Sequence, residues 1–145
     1  MEKTKQNIRQ KLAWIQAKLK APKGQLNKFG NYRYRSAEDI LEALKPLTTE
    51  VECSLVINDR MEQLGDRYYI RAEVTLLDEG KDLVFSTAYA REAAVKKGMD
   101  DAQITGSASS YARKYALNGL FAIDDTKDPD STNTHGKEKQ TADIL

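Results

Sequence analysis

The chain has 145 residues and a mass of 16.3 kDa, with 40% hydrophobic and 31% charged residues, one cysteine and a formal charge of +1. That is one domain's worth of chain. Its longest nearly apolar run, residues 115–123, falls far short of the ~20 residues a membrane-spanning helix needs, and Cys53 alone excludes an internal disulfide or a cysteine zinc site. The charge is unevenly spread: residues 1–35 hold ten Lys/Arg against one acid, residues 36–123 ten against fifteen, and residues 124–145 three against six. A basic start facing an acidic end is a pattern of chains that bind a polyanion. The charged N-terminus without an apolar core predicts no secretory signal, no membrane attachment and a cytoplasmic location.

In residues 4–20, Ile8, Leu12, Ile15 and Leu19 recur at spacings of four, three and four, one apolar stripe along an amphipathic helix. Lys5, Arg9, Lys11, Lys18 and Lys20 occupy its other faces, and the stripe packs on its own domain or on a neighbouring subunit. A Pro22–Gly24 break precedes Asn31-Tyr32-Arg33-Tyr34-Arg35, where Gly30-Asn31 suits a tight turn. If this segment is extended, the tyrosines share one face and Arg33 and Arg35 the other. Two readings stand: tyrosines packed on the core, or rings stacking on bases with guanidinium groups toward phosphates. Ser36 followed by Glu38 and Asp39 signals a second helix, with Ile40, Leu41, Leu44 and Leu47 inward. Pro46 is expected to kink or end it.

Three alternating stretches follow, residues 51–58, 67–77 and 83–91. Val51, Cys53, Leu55 and Ile57 share a face in the first; Tyr68, Ile70, Ala72, Val74 and Leu76 in the second; Leu83, Phe85, Thr87 and Tyr89 in the third. Short connections make them an antiparallel meander, helices covering one side and Arg67, Arg71 and Glu73 on the other. Residues 92–99 are ambiguous between loop and short helix. From Asp100 a last helix carries Ile104, Ala108, Tyr111 and Tyr115 on one stripe and Arg113 and Lys114 on its flank; small residues from Gly106 to Ser110 permit close approach. The fold class is therefore α+β: a three-stranded antiparallel meander packed against helices, with an N-terminal amphipathic helix. Residues 1–123 form the domain, and residues 124–145, almost without apolar side chains, are expected to be a disordered acidic tail.

Enzyme chemistry finds little purchase. The one histidine, His135, lies in the tail, no phosphate loop is present, and the aspartates Asp124, Asp125, Asp128 and Asp130 lack the glycine and distal glutamate of a calcium loop. Spaced positive charge beside tyrosines instead suits single-stranded nucleic acid read without sequence preference.

The run Gly106-Ser107-Ala108-Ser109-Ser110-Tyr111-Ala112-Arg113-Lys114-Tyr115-Ala116-Leu117, then Leu120-Phe121 and Asp124-Asp125, resembles the signature of the essential recombination function (ERF) family of phage single-strand annealing proteins. Asn31-Tyr32-Arg33-Tyr34, Lys45-Pro46-Leu47 and the strands extend the resemblance over about residues 5–130. It implies an ATP-independent protein that binds single-stranded DNA, forms rings or filaments and anneals complementary strands in phage recombination, with no catalytic residue, metal or cofactor. The implied core is similar to the β-β-β-α fold of the eukaryotic ring-forming recombination mediators. Arg113 and Lys114, with Tyr111 and Tyr115, fall in the family's helix motif, the two tyrosines equally open to a core role; Tyr111, Arg113 and Lys114 with Arg33, Arg35, Arg91, Lys96 and Lys97 are the candidate DNA contacts, and Ile8, Leu12, Ile15 and Leu19 are candidates for subunit contact. Candidate protein partners are further copies and a partner exonuclease or single-strand-binding protein, although a separate C-terminal partner-binding region reads as reduced or missing. The alternatives are a structural oligomer, a nucleic-acid-binding module that does not anneal, and a metal-dependent nuclease using the acidic run.

Overall fold

The computed structural model describes residues 6–28, 30–94 and 98–123. In chain order it contains α1 (Ile8–Lys18), β1 (Gln25–Asn27), β2 (Tyr32–Tyr34), α2 (Ala37–Glu50), β3 (Cys53–Leu64), β4 (Arg67–Asp78), β5 (Leu83–Arg91) and α3 (Asp101–Leu120). β1 and β2 form a small antiparallel hairpin, and β3-β4-β5 an antiparallel meander. The expected α+β class and three-stranded sheet are thus observed. The acidic residues 124–145, and Lys96 and Lys97, lie outside the described residues. None of the described helices is long and apolar enough to cross a membrane.

Each helix starts where its sequence supplies a cap. Asn7, Ser36 and Asp100 accept a backbone hydrogen bond at the third helical position, whose side chain (Gln10, Asp39 or Gln103) bonds back. At α2 the Asp39 carboxylate accepts from the Ser36 N–H at 2.9 Å. That bond, opposed by burial and assisted by the Ser36 and Gln25 side chains, holds the Asp39 pKa below its ordinary 3.8. Ser36→Ala is expected to cost about 1 kcal/mol in urea melts at neutral pH. A lowered carboxyl pKa contributes stability above the unfolded value that is lost as pH falls through the folded one. Asp39→Asn should therefore flatten the acid limb of the stability profile below pH 3.8.

The structure corrects several sequence expectations. α2 runs through Pro46 to Glu50. Glu42, whose carbonyl loses its donor, is exposed and can turn to water, and the Thr48 and Thr49 hydroxyls donate to the Lys45 carbonyl. β3 continues past Asn58 to Leu64, because the tight turn at Gly65-Asp66, with Gly65 at φ 62, keeps β4 in register through Leu64↔Arg67. On β5, Leu83, Phe85, Thr87 and Tyr89 share a face as expected, and it is the outward one, while Val84, Ser86, Ala88 and Ala90 lie under α3. On α3 the buried stripe is Ile104, Ala108, Ala112, Ala116, Leu117 and Leu120, leaving Tyr111 and Tyr115 outside. Alanines rather than Gly106 allow the close approach, and a Cβ on Gly119 would meet Ser86 Oγ of β5 at 3.0 Å.

The core lies between the sheet and the helices, with Ile15, Ile40, Leu44, Val51, Val74, Leu76, Leu117 and Phe121 almost fully excluded from water. α1 belongs to it. Ile8 and Ile15 are buried and Leu12 and Leu19 pack against the cluster, so the stripe proposed for subunit contact is occupied within the chain. Two polar ties fix the helix: Gln16 Nε2 donates to the Leu120 carbonyl at 2.9 Å, and Lys11 Nζ donates to Asp78 Oδ1 at 2.9 Å. Lys11, expected on a solvated face, is only 1% exposed.

Candidate nucleic-acid interface

The end of β2, the start of α2 and the middle of α3 enclose an open cleft of about 260 Å³ lined by Tyr34, Arg35, Ser36, Ala37, Glu38, Ser107, Ser110, Tyr111 and Lys114. Each wall follows from local sequence. Asn31, at φ 51, supplies the left-handed residue of the hairpin turn that returns β2 beside β1. The Ser36 cap then starts α2, and with it the first-turn backbone enters the cleft wall. The four-residue burial repeat of α3 leaves Ser107, Tyr111 and Lys114 toward the hairpin.

Lys114 Nζ lies 5.6 Å from the centroid of the Tyr34 ring, within the range where a cation is attracted to an aromatic face. Tyr111 and Tyr115, one helical turn apart, stack with centroids at 6.2 Å and an interplanar angle of 25°. The two residues are 48% and 51% exposed, a large aromatic area on a short stretch of helix. The cleft therefore combines a held ammonium group, small hydroxyl side chains and the exposed Tyr111 ring, with Tyr115 stacked beside it outside the lining. Stacking of planar bases and attraction of a phosphate are the interactions such a surface supports.

The predicted contacts distribute unevenly around it. Tyr111 and Lys114 line the cleft. Arg113 is on the same helix but turned toward β3, where its Nε donates to both Asp59 carboxylate oxygens at 3.1 and 3.2 Å. Ser109 Oγ donates to the same carboxylate, so Asp59 anchors this side of α3 to the sheet. Arg35, expected on an exposed arginine face, is 1% exposed and sits between this cleft and a second one near the end of α1. It follows the last residue of β2, where the chain turns into α2, so strand alternation no longer governs its direction. Arg33 is exposed on the hairpin. Arg91 ends β5 on the face of the sheet turned away from α3. Lys96 and Lys97 cannot be placed, being outside the described residues.

Tyr34 and Tyr115 belong to the surface although neither headed the sequence candidates. The signals were present: Tyr34 precedes the α2 cap, and Tyr115 is four residues beyond Tyr111. Among the described residues, no three His, Cys, Asp or Glu side chains converge in a way that could hold a metal ion.

An α+β domain with a three-stranded antiparallel sheet and an aromatic, basic cleft over its last helix defines the class in structural terms. Comparison places it in a family. The description "ERF superfamily" matches residues 8–144, and the chain belongs to that superfamily. It is 53% identical over 132 residues to the "Essential recombination function protein" of Salmonella phage P22, an alignment covering 91% of this chain and 62% of that protein. The chain thus spans less than two thirds of that relative's length. No solved structure matches it significantly.

Proposed function

We propose that this chain is a phage recombination protein that holds single-stranded DNA without a nucleotide cofactor and promotes the pairing of complementary strands. The observation that carries the reading is the exposed Tyr111–Tyr115 stack beside Lys114 and Tyr34. Membership of the ERF superfamily and the name of the phage P22 relative, an essential recombination function protein, support it. The physical account needs no acid, base or metal. Cationic side chains reduce the repulsion between two phosphate backbones, stacking splays one strand open, and base pairing supplies the free energy. Ring or filament assembly in the bacterial cytoplasm belongs to the same proposal. Since α1 is committed to its own core, the copies are proposed to meet on the apolar end of the outer sheet face, where Val56, Leu83 and Phe85 are exposed.

Two complementary oligonucleotides carrying donor and acceptor dyes, mixed with the protein in EDTA without ATP at two salt concentrations, test the reading. Accelerated pairing that weakens at higher salt is expected. Unchanged pairing would contradict it, and loss of oligonucleotide once divalent ions are restored would point to a nuclease.

A further inference from the structure

The face of the meander turned away from α3 is chemically divided along its length. Residues paired directly across antiparallel strands lie on the same face. One end therefore carries the rows Ser54–Leu77–Leu83 and Val56–Thr75–Phe85, with Phe85 58% exposed. The other end carries Arg60–Arg71–Tyr89, Glu62–Tyr69–Arg91 and Leu64–Arg67. Four arginines and two tyrosines, against the single acid Glu62 and Leu64, thus occupy the half beyond Asn58, Glu73 and Thr87.

Arg60 and Arg71 stand directly opposite each other, and like charges at such a site destabilise a sheet. Arg71 has partial relief from Glu73 at 3.7 Å. Among the described residues, Arg60, Arg67 and Arg91 have no carboxylate within ion-pair distance. A shallow hollow of about 310 Å³, lined by Asn58, Asp59, Arg60, Arg71 and Glu73, lies at the arginine pair, and the half-exposed Tyr89 ring lies in register on its far side. Successive rows are about 6.6 Å apart, the two-residue repeat of a strand. Repelling charges in spaced rows with interleaved rings are complementary to an extended polyanion that also offers planar groups.

We propose that this half of the outer face is a second binding surface for single-stranded nucleic acid, with Arg60, Arg71 and Arg91 meeting phosphates and Tyr89 offering a stacking platform. It lies across the sheet from the α3 cleft, so a strand held here is a different segment from the one held there. The inference rests on the single-strand reading of the cleft and adds a place for the second strand, or a second stretch of the first, before pairing.

The test compares Arg60→Gln/Arg71→Gln, Lys114→Glu and the triple variant in the full chain, using fluorescein-labelled oligo-dT anisotropy, the two-dye pairing assay, thermal melting and light scattering. The arginine double variant is expected to melt no lower than the parent chain, since it relieves like-charge repulsion. It should bind oligo-dT within about twofold at low salt through the intact cleft, yet pair strands at least tenfold more slowly. Lys114→Glu should retain a weak, salt-sensitive binding that the triple variant loses, and the slope of log affinity against log salt for that residual binding should reflect about 0.7 per phosphate contact. Parent-like pairing by the double variant, with residual binding unchanged in the triple variant, would overturn the proposal while leaving the cleft reading intact. A change in assembly mass with residual binding unchanged would also overturn it and make the face a contact between copies. Absence of oligo-dT binding by the parent chain would remove the cleft reading, and this inference with it.

Discussion

Asp78→Asn is expected to lower the unfolding free energy by about 3 kcal/mol, the low end of the range for breaking a buried ion pair by removing one partner. The low end applies because Asp78 keeps a water-facing edge, its side chain being 12% exposed against 1% for Lys11. For a domain of this size the loss corresponds to about 10–15 °C in melting temperature, and it is a large part of the ~5–15 kcal/mol that holds such a domain together. The cause is an ammonium group left between α1 and the sheet without its counter-charge. Burial by itself lowers the Lys11 pKa. The hydrogen bond to Asp78 and the charge of Asp78, with smaller contributions from Cys53 and Glu79, more than offset it and leave the pKa above its ordinary 10.5.

A raised lysine pKa contributes stability that is complete below the unfolded value and disappears as pH rises through the folded one. The parent chain should therefore lose stability above pH 10.5, and Asp78→Asn should reduce that loss. Cys53 also acts in the alkaline range, because burial pushes its thiol above 9.0. Carrying Cys53→Ala in both chains isolates the lysine. Chemical melts across the alkaline range check the prediction, and equal stability of the two chains near neutrality would contradict it.

The second large effect is on binding. Tyr111→Ala should weaken oligo-dT binding by about 1–3 kcal/mol, the cost of losing one stacking platform and roughly 5- to 150-fold in Kd. Tyr111→Phe keeps the ring and should restore most of the affinity. Lys114→Glu should weaken binding by about tenfold or more at low salt, with a shallower salt dependence. Tyr111 is exposed and Lys114 half-buried over the Tyr34 ring, so Tyr111→Ala is expected to stay within ~0.5 kcal/mol of the parent in stability and Lys114→Glu to cost somewhat more. Arg113 is a poor site for the same experiment: a glutamate there would face Asp59 and disturb the anchor of α3. Anisotropy titrations paired with thermal melts separate loss of contact from loss of fold.

The elements were legible in the sequence where one local rule governed them. Alternation in residues 67–77 could bury Ile70, Ala72, Val74 and Leu76 together, and Ser36 and Asp100 with the acids after them announced two helix starts, whereas the apolar stripe alone placed the first helix from residue 4, ahead of its Asn7 cap. β3 beyond Asn58 was illegible because Asp59, Arg60, Glu62 and Gln63 put polar groups on both faces. Its pairing was set by β4 instead. The facing of α3 was misread because tyrosine outweighs alanine in apolar area, whereas the buried side needed alanines to bring the helix down on β4 and β5.

The candidate site was partly legible for related reasons. Tyr111 and Lys114 lie within a single helix, where spacing fixes relative direction, and they do share the cleft. Burial of Arg35 depends on elements distant in sequence, the end of α1 and the residues after α3, and burial of Lys11 goes with a carboxylate 67 residues away. Neither is encoded in a local window. The arginine rows of the outer face emerge only when three strands are laid in register.

Photocrosslinking tests the central claim most directly. A short oligo-dT carrying 4-thiothymidine would be irradiated with the full chain and the linked peptides identified by mass spectrometry. Crosslinks to Tyr34, Tyr111 and Tyr115, suppressed by Lys114→Glu, are the predicted result. Crosslinks that avoid the cleft altogether, with binding unaffected by Lys114→Glu, would contradict the account.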